Sequence, residues 1–274
     1  MRDNRFSAAV RFSFITAALM TAQSLSALLR PSIYRDADWA RMQWPGNDAV
    51  TLLIAVPTLI ASALGAHRGS ASARLVMLGG LSYALYSDTF YLFGAAFNSH
   101  FLLYCATYAS SSMGLITGFA SLDLASLGFP RGRAAKWVAG YMIAWSFLLG
   151  GLWVGQSLTF VFSGQLPEVV RVSGHPTSVV FAADLAMMVP AVAWGGWLLW
   201  RRVAWGYALG VVLNVKGVIY TLALIGMSVS TALMGGTVSM ELSSLWMVFC
   251  AASLASVVAL MRGNAAAEPA TKRT

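Results

Sequence analysis

The sequence predicts an all-α polytopic membrane protein, a helical bundle of about eight transmembrane segments. Three observations predict it. Hydrophobic residues make up 58% of the 274 and charged residues only 10%, where a soluble domain carries about 25% charged. Apolar runs long enough to cross a bilayer recur along the whole chain. Basic residues fall on every second connection, as the positive-inside rule requires of a multi-pass protein. No long polar stretch is present from which to build a soluble enzyme on a single anchor. The net charge of +8 is read as a device that orients helices and meets anionic lipid, so the expected partner is the bilayer and not nucleic acid.

Taken in order, the spans are 11–29, 49–66, 74–96, 101–121, 136–157, 178–200, 204–230 and 242–261. The first follows Arg2, Arg5 and Arg11 and shares features with a signal peptide. Leu29-Arg30-Pro31 offers no small-x-small cleavage site, which favours a retained helix. Arg68 and Arg74 flank the connection after the second span, Arg131, Arg133 and Lys136 that after the fourth, and Arg201 and Arg202 that after the sixth. Arg262, Lys272 and Arg273 follow the last. The intervening loops hold Arg30, Arg35, Arg41 and Arg171 together with Asp36, Asp38, Asp48, Glu168 and Glu241. Both termini are therefore expected in the cytoplasm, and the location expected is the bacterial cytoplasmic (inner) membrane. Residues 1–263 read as one transmembrane domain and 264–274 as a disordered cytoplasmic tail.

Halving the chain suggests a 4+4 parallel internal repeat. The second span reads Asp48, Val56-Pro57, then apolar residues to Arg68; the sixth reads Asp184, Val189-Pro190, then apolar residues to Arg201-Arg202. Each is followed by a helix with a buried charge, Asp88 or Lys216. Equal orientation of the halves makes such a repeat parallel and not inverted.

Lys216 is the residue that most needs an explanation. It lies about a dozen residues, or roughly 18 Å, into its span, near the midplane. A lysine there costs roughly 2.5–3.5 kcal/mol on insertion scales and marks a functional site by default. The acids expected at comparable depth are Asp184 and Asp88, and composition leaves open which of them pairs with it. Tyr220 shares the lysine's face at i+4, and Asn214 lies on a neighbouring one. Tyr83, Ser87 and Tyr91 make a polar stripe beside Asp88. Pro190 removes one helical amide and frees a carbonyl. These residues, Lys216, Asp184, Asp88, Asn214, Tyr220, Tyr91 and Pro190, define the expected ligand pathway, with Asn98, His100, His175 and Glu241 around its outer mouth. The alternative is an ion pair that only fixes helix register. His100 and His175 show no HxxxH or HxH spacing, so no metal is expected. Cys105 and Cys250 lie inside apolar segments and read as small hydrophobes.

No GxSxG, HExxH, Walker or CxxC motif occurs. No catalytic residue or cofactor is therefore assigned. The lysine invites comparison with microbial rhodopsins, but it sits in the penultimate span, and Val212 stands where their pattern has an aspartate. Gly46-Asn47-Asp48 with Val50-Thr51-Leu52-Leu53 belongs to a different resemblance, together with Phe93-Gly94-Ala95-Ala96-Phe97-Asn98, Trp200-Arg201-Arg202, Trp205-Gly206-Tyr207 and Val215-Lys216-Gly217. These stretches resemble a widespread group of bacterial multi-pass membrane proteins of unknown function. That resemblance implies membrane residence and no activity. The first functional expectation is a transporter of protons, an ion or a small polar solute through an outward-facing cavity. The second is a receptor or complex-assembly subunit with a membrane-protein partner. The third is a membrane-embedded lipid-modifying enzyme.

Overall fold

The computed structural model describes residues 4–125, 127 and 133–265. Among them every regular element is helical. The long rods are α1 (Asn4–Leu29), α3 (Trp44–Val50) continuing into α4 (Val56–His67), α5 (Ala71–Phe93), α6 (Phe101–Ala120) and α7 (Ala134–Ser163), then α9 (Val179–Ala183) continuing into α10 (Val189–Trp200), α11 (Ala204–Leu233) and α12 (Met240–Ala265). Two short helices, α2 (Asp38–Arg41) and α8 (Glu168–Ser173), lie in the loops of one end, here termed the loop-rich end. Each is closed by an exposed i,i+3 pair, Arg41–Asp38 and Arg171–Glu168. Such pairs are worth little.

Six rods are long and apolar enough to cross a membrane: Asn4–Leu29, Asp38–His67, Ala134–Ser163, Val179–Trp200, Ala204–Leu233 and Met240–Arg262. The third and fourth expected spans also form rods, α5 and α6, of 23 and 20 residues. They fall outside that set. Their sequences carry polar residues such as Tyr83, Tyr86, Ser87 and Asp88 on α5 and Ser110 to Ser112 on α6. Arg2, Arg131, Lys272, Arg273 and the tail from 266 lie outside the described residues.

One boundary differs from expectation in a way that matters. Asp48 was expected in a loop, yet α3 starts at Trp44 with Pro45 in its first turn, where a missing N–H costs nothing. Asp48 is consequently inside the helix and 0% exposed.

The two interrupted rods share a device. Both α3–α4 and α9–α10 are joined by a five-residue π-turn, Thr51–Ala55 and Asp184–Met188. In each, the residue before a proline closes the wide turn: Val56 N–H donates to Thr51 O, and Val189 N–H to Asp184 O. Pro57 and Pro190 have no N–H to give the carbonyl four residues back, so the ladder shifts by one. The turns after these rods also match. Arg68, Gly69 and Ser70 donate to Leu64, Ala66 and Gly65, as Arg201, Arg202 and Val203 do to Trp197, Leu199 and Leu198. Gly69 has φ +97° and Arg202, at the equivalent place, φ +60°.

The core sits where α5 crosses α11. Leu75, Leu78 and Leu81 on one helix and Val211, Val212 and Val215 on the other are buried there with Leu59 of α4 and Leu199 of α10. The approach depends on glycine: a Cβ on Gly79 would fall 2.5 Å from Val215 Cβ. Around this pair, α1, α4 and α6 gather on α5, while α7, α10 and α12 gather on α11.

Candidate functional site

A cavity of about 850 Å³ opens at the loop-rich end and runs down between α7, α9–α10, α11 and α12. Its volume is within the ~300–1,000 Å³ of small-molecule sites. Most of its wall is apolar and aromatic, with Trp145, Trp153, Trp246 and Phe249 prominent. The polar exceptions include Asp184, Lys216, Asn214, Tyr220 and Gln156.

Lys216 is 4% exposed. Its Nζ lies 3.4 Å from the centre of the Tyr86 ring and 4.5 Å from that of Tyr220. A desolvated ammonium–ring contact is worth about 2 kcal/mol, so the two rings offset much of the burial cost. The rings meet edge to face at 4.8 Å. Among the described residues no carboxylate comes within ion-pair distance of Lys216, and no hydrogen bond to its Nζ is present. Asp184 interacts with it electrostatically from farther away.

Asp184 is already provided for. Tyr86 Oη donates to Oδ1 and Trp153 Nε1 donates to Oδ2 at 2.8 Å. The Asp184 carboxylate thus sits at the first residue of the π-turn, held by α5 and α7, with Tyr86 as the link to Lys216. The open choice of partner resolves toward Asp184, through an intervening phenol and not by direct contact. Asn214 donates to Gly210 O at 2.7 Å within its own helix.

The remaining expected residues lie elsewhere. Asp88 and Tyr91 are in a second, sealed polar network of the first half. There Tyr34 Oη donates to Asp48 Oδ2 at 2.6 Å and Tyr91 Oη to Oδ1 at 3.3 Å. Asn47 Nδ2 donates to Tyr91 Oη at 2.8 Å, Tyr83 Oη donates to Asn47 Oδ1 at 3.3 Å, and Tyr83 Oη and Thr51 Oγ1 are 2.9 Å apart. Burial, with Tyr91 and Asp48 alongside, holds the Tyr34 phenol above its ordinary range. Asp88 is 2% exposed, beside Gln23 and Asp48. Pro190 shapes the π-turn but is absent from the cavity wall.

Of the expected mouth, only His175 lines the cavity. Its Nε2 is 3.5 Å from Oδ1 of Asp36, which also accepts the Ala96 N–H at 2.8 Å. Asn98 is turned inward, accepting the His100 N–H at 2.9 Å and donating to Ala96 O. His100 Nε2 is 3.1 Å from Ser26 Oγ, and burial lowers the pKa of its imidazole. Glu241 is exposed in the first turn of α12. The mouth expected from four polar residues is thus mostly a set of loop ties.

Tyr86 and Trp153 were not singled out in the sequence. Tyr86 lies off the Tyr83–Ser87–Tyr91 stripe, and Trp153 is one of ten tryptophans with nothing local to mark it. Asp48 had a readable signal, the Trp44-Pro45 helix start. The chain matches no protein-family model, no curated protein and no solved structure.

Proposed function

We propose that the chain is an eight-span protein of the bacterial cytoplasmic membrane, with both termini cytoplasmic, that transports a small solute through a cavity on its outer side. The observation that carries this reading is the wall of the cavity itself. Lys216 and Asp184, the two opposite charges buried in the second half, both face the 850 Å³ space and are linked through Tyr86. A pair that served only helix register would be expected in direct contact and closed off. A pair on a cavity wall is placed to answer a bound solute.

A parallel duplication suits the class, since many carriers are built from repeats. At one constant offset Thr51 corresponds to Asp184, Val56-Pro57 to Val189-Pro190, His67 to Trp200, Gly69 to Arg202 and Ala71 to Ala204. Ser13, Gln23 and Ser24 of α1 then fall on Ser146, Gln156 and Ser157 of α7. This register places Lys216 opposite Tyr83, not Asp88, and Asp184 opposite Thr51, not Asp48. The charged pair of one half occupies the positions of a neutral Thr–Tyr hydrogen bond in the other.

The test is solute-driven flux in proteoliposomes, read with a lumenal pH dye and a pooled solute library. Wild type should give solute-dependent signals. Lys216→Met and Asp184→Asn should fold, as judged by monodisperse elution in detergent, and lose them. Signals unchanged in both variants would exclude a role for the pair in transport.

A further inference from the structure

The hydrogen-bond inventory around Lys216 is unbalanced, and the imbalance points to a ligand. Both Asp184 oxygens have neutral donors, from Tyr86 and Trp153. The Lys216 ammonium carries three N–H donors and meets ring faces but no acceptor among the described residues. A donor that meets only ring faces is left short of an acceptor, the more so when it is charged. The acceptor that is lacking has one place from which to come, the cavity that Lys216 lines.

The shape of the cavity limits what can bring it. Leu148 and Leu152 of α7 and Leu242 and Leu245 of α12 line the cavity, and yet are 58%, 49%, 51% and 37% exposed. The cavity therefore reaches the side of the bundle between α7 and α12, and its rim there is leucine. These two helices pack sparsely, through Tyr141–Ser253 and Trp145–Phe249 contacts. A rim of leucine suits hydrocarbon better than water. Inside, apolar and aromatic side chains make up most of the wall, which suits an aliphatic chain better than a wholly polar solute.

We infer that the ligand is an apolar-chain carboxylic acid, which slips sideways between α7 and α12 from the membrane and sets its carboxylate on Lys216. The carboxylate supplies the acceptor the ammonium lacks, and the chain fills the Trp145–Trp246–Phe249 wall. This rests on the cavity being a solute site, and replaces the wholly polar solute with an amphiphile.

Tryptophan quenching in nanodiscs, with 9,10-dibromostearic acid as probe and dibrominated phosphatidylcholine as control, tests it. Wild type should show saturable quenching by the acid beyond the bilayer background set by the control. Lys216→Met should weaken the saturable component about tenfold, as expected for loss of one charge-assisted hydrogen bond. Leu149→Phe, which adds bulk to the cavity wall without removing the lysine, should weaken it too and covers the case in which Lys216→Met fails to fold. Saturable, Lys216-dependent quenching without any flux would keep this inference and remove transport. Non-saturable quenching, or equal affinity in wild type and both variants, overturns the inference whatever the flux assay gives.

Discussion

In the first half, α1 lies along α6, with Thr16 Oγ1 2.9 Å from Ser110 Oγ and Gly118 so close to α5 that a Cβ there would fall 2.4 Å from Leu78 Cδ2. In the second, α7 and α12 meet sparsely, through Tyr141–Ser253 and Trp145–Phe249, and a cavity opens beside them. The polar groups follow the packing. The closed half buries its carboxylates, Asp48 and Asp88, among phenols and amides. In the proposed repeat register, the open half puts a lysine and an aspartate where the other has Tyr83 and Thr51. The half whose outer helices pack closely thus holds a sealed polar network with two carboxylates, and the half whose outer helices pack sparsely holds an accessible pair of opposite charges. Solvation decides which chemistry each half can hold: without a cavity, a buried ammonium has only protein to stabilise it.

The comparison can be broken at several points. The largest effect is expected from Asp184→Ala, which removes the counter-charge of Lys216 and leaves Tyr86 Oη and Trp153 Nε1 without an acceptor. It should cost about 3 kcal/mol in thermal unfolding in detergent, and Asp184→Leu with Lys216→Met should recover most of that. Next, Gly118→Leu should cost about 2 kcal/mol by forcing α6 from its neighbours. Gly151→Leu in α7, where a Cβ meets nothing within 4 Å, should change stability by less than ~0.5 kcal/mol. Equal costs for the two glycines would mean that the halves are packed alike. Tyr83→Phe should cost about 1 kcal/mol, through the Thr51 and Asn47 partners it abandons, with no change in ligand binding.

The smallest effect is a pH dependence. Because the His100 pKa is lowered on folding, the unfolded chain takes up its proton more readily. Stability should be full above the unfolded value of about 6.5 and decline as pH falls through it. Melting curves at pH 5.5 and 7.5 check this, and His100→Gln should flatten that part of the difference.

Much of this arrangement was legible in the sequence. The placement of Lys216 well inside a long helix, the rods and the shared Val-Pro turns follow from apolar run length and from proline chemistry, which act locally. The proposed register of the halves was only half legible: the Val-Pro match stands in the sequence, but Thr51 and Tyr83 carry no mark beside the charged Asp48 and Asp88. Charges are conspicuous in an apolar sequence, and a neutral Thr–Tyr pair is not. The Tyr86–Asp184–Trp153 triad was not legible at all, because its members come from three helices far apart in sequence. The mouth was misread for a related reason. Whether Asn98 or His100 faces a cavity or ties a loop depends on the turn between α5 and α6, which polar composition does not specify.

Gln23 and Gln156 offer the most direct test of the contrast between a sealed and an open half. Gln23 is 3% exposed beside Asp88 and Thr107, while Gln156, its counterpart on α7 in the proposed register, lines the cavity. In a background of Cys105→Ser and Cys250→Ser, the Gln23→Cys and Gln156→Cys variants would be exposed to a membrane-impermeant maleimide in intact proteoliposomes. The account predicts rapid labelling of the Gln156→Cys variant and protection of the Gln23→Cys variant until the protein is unfolded. Equal labelling of the two, or protection of both, would contradict it.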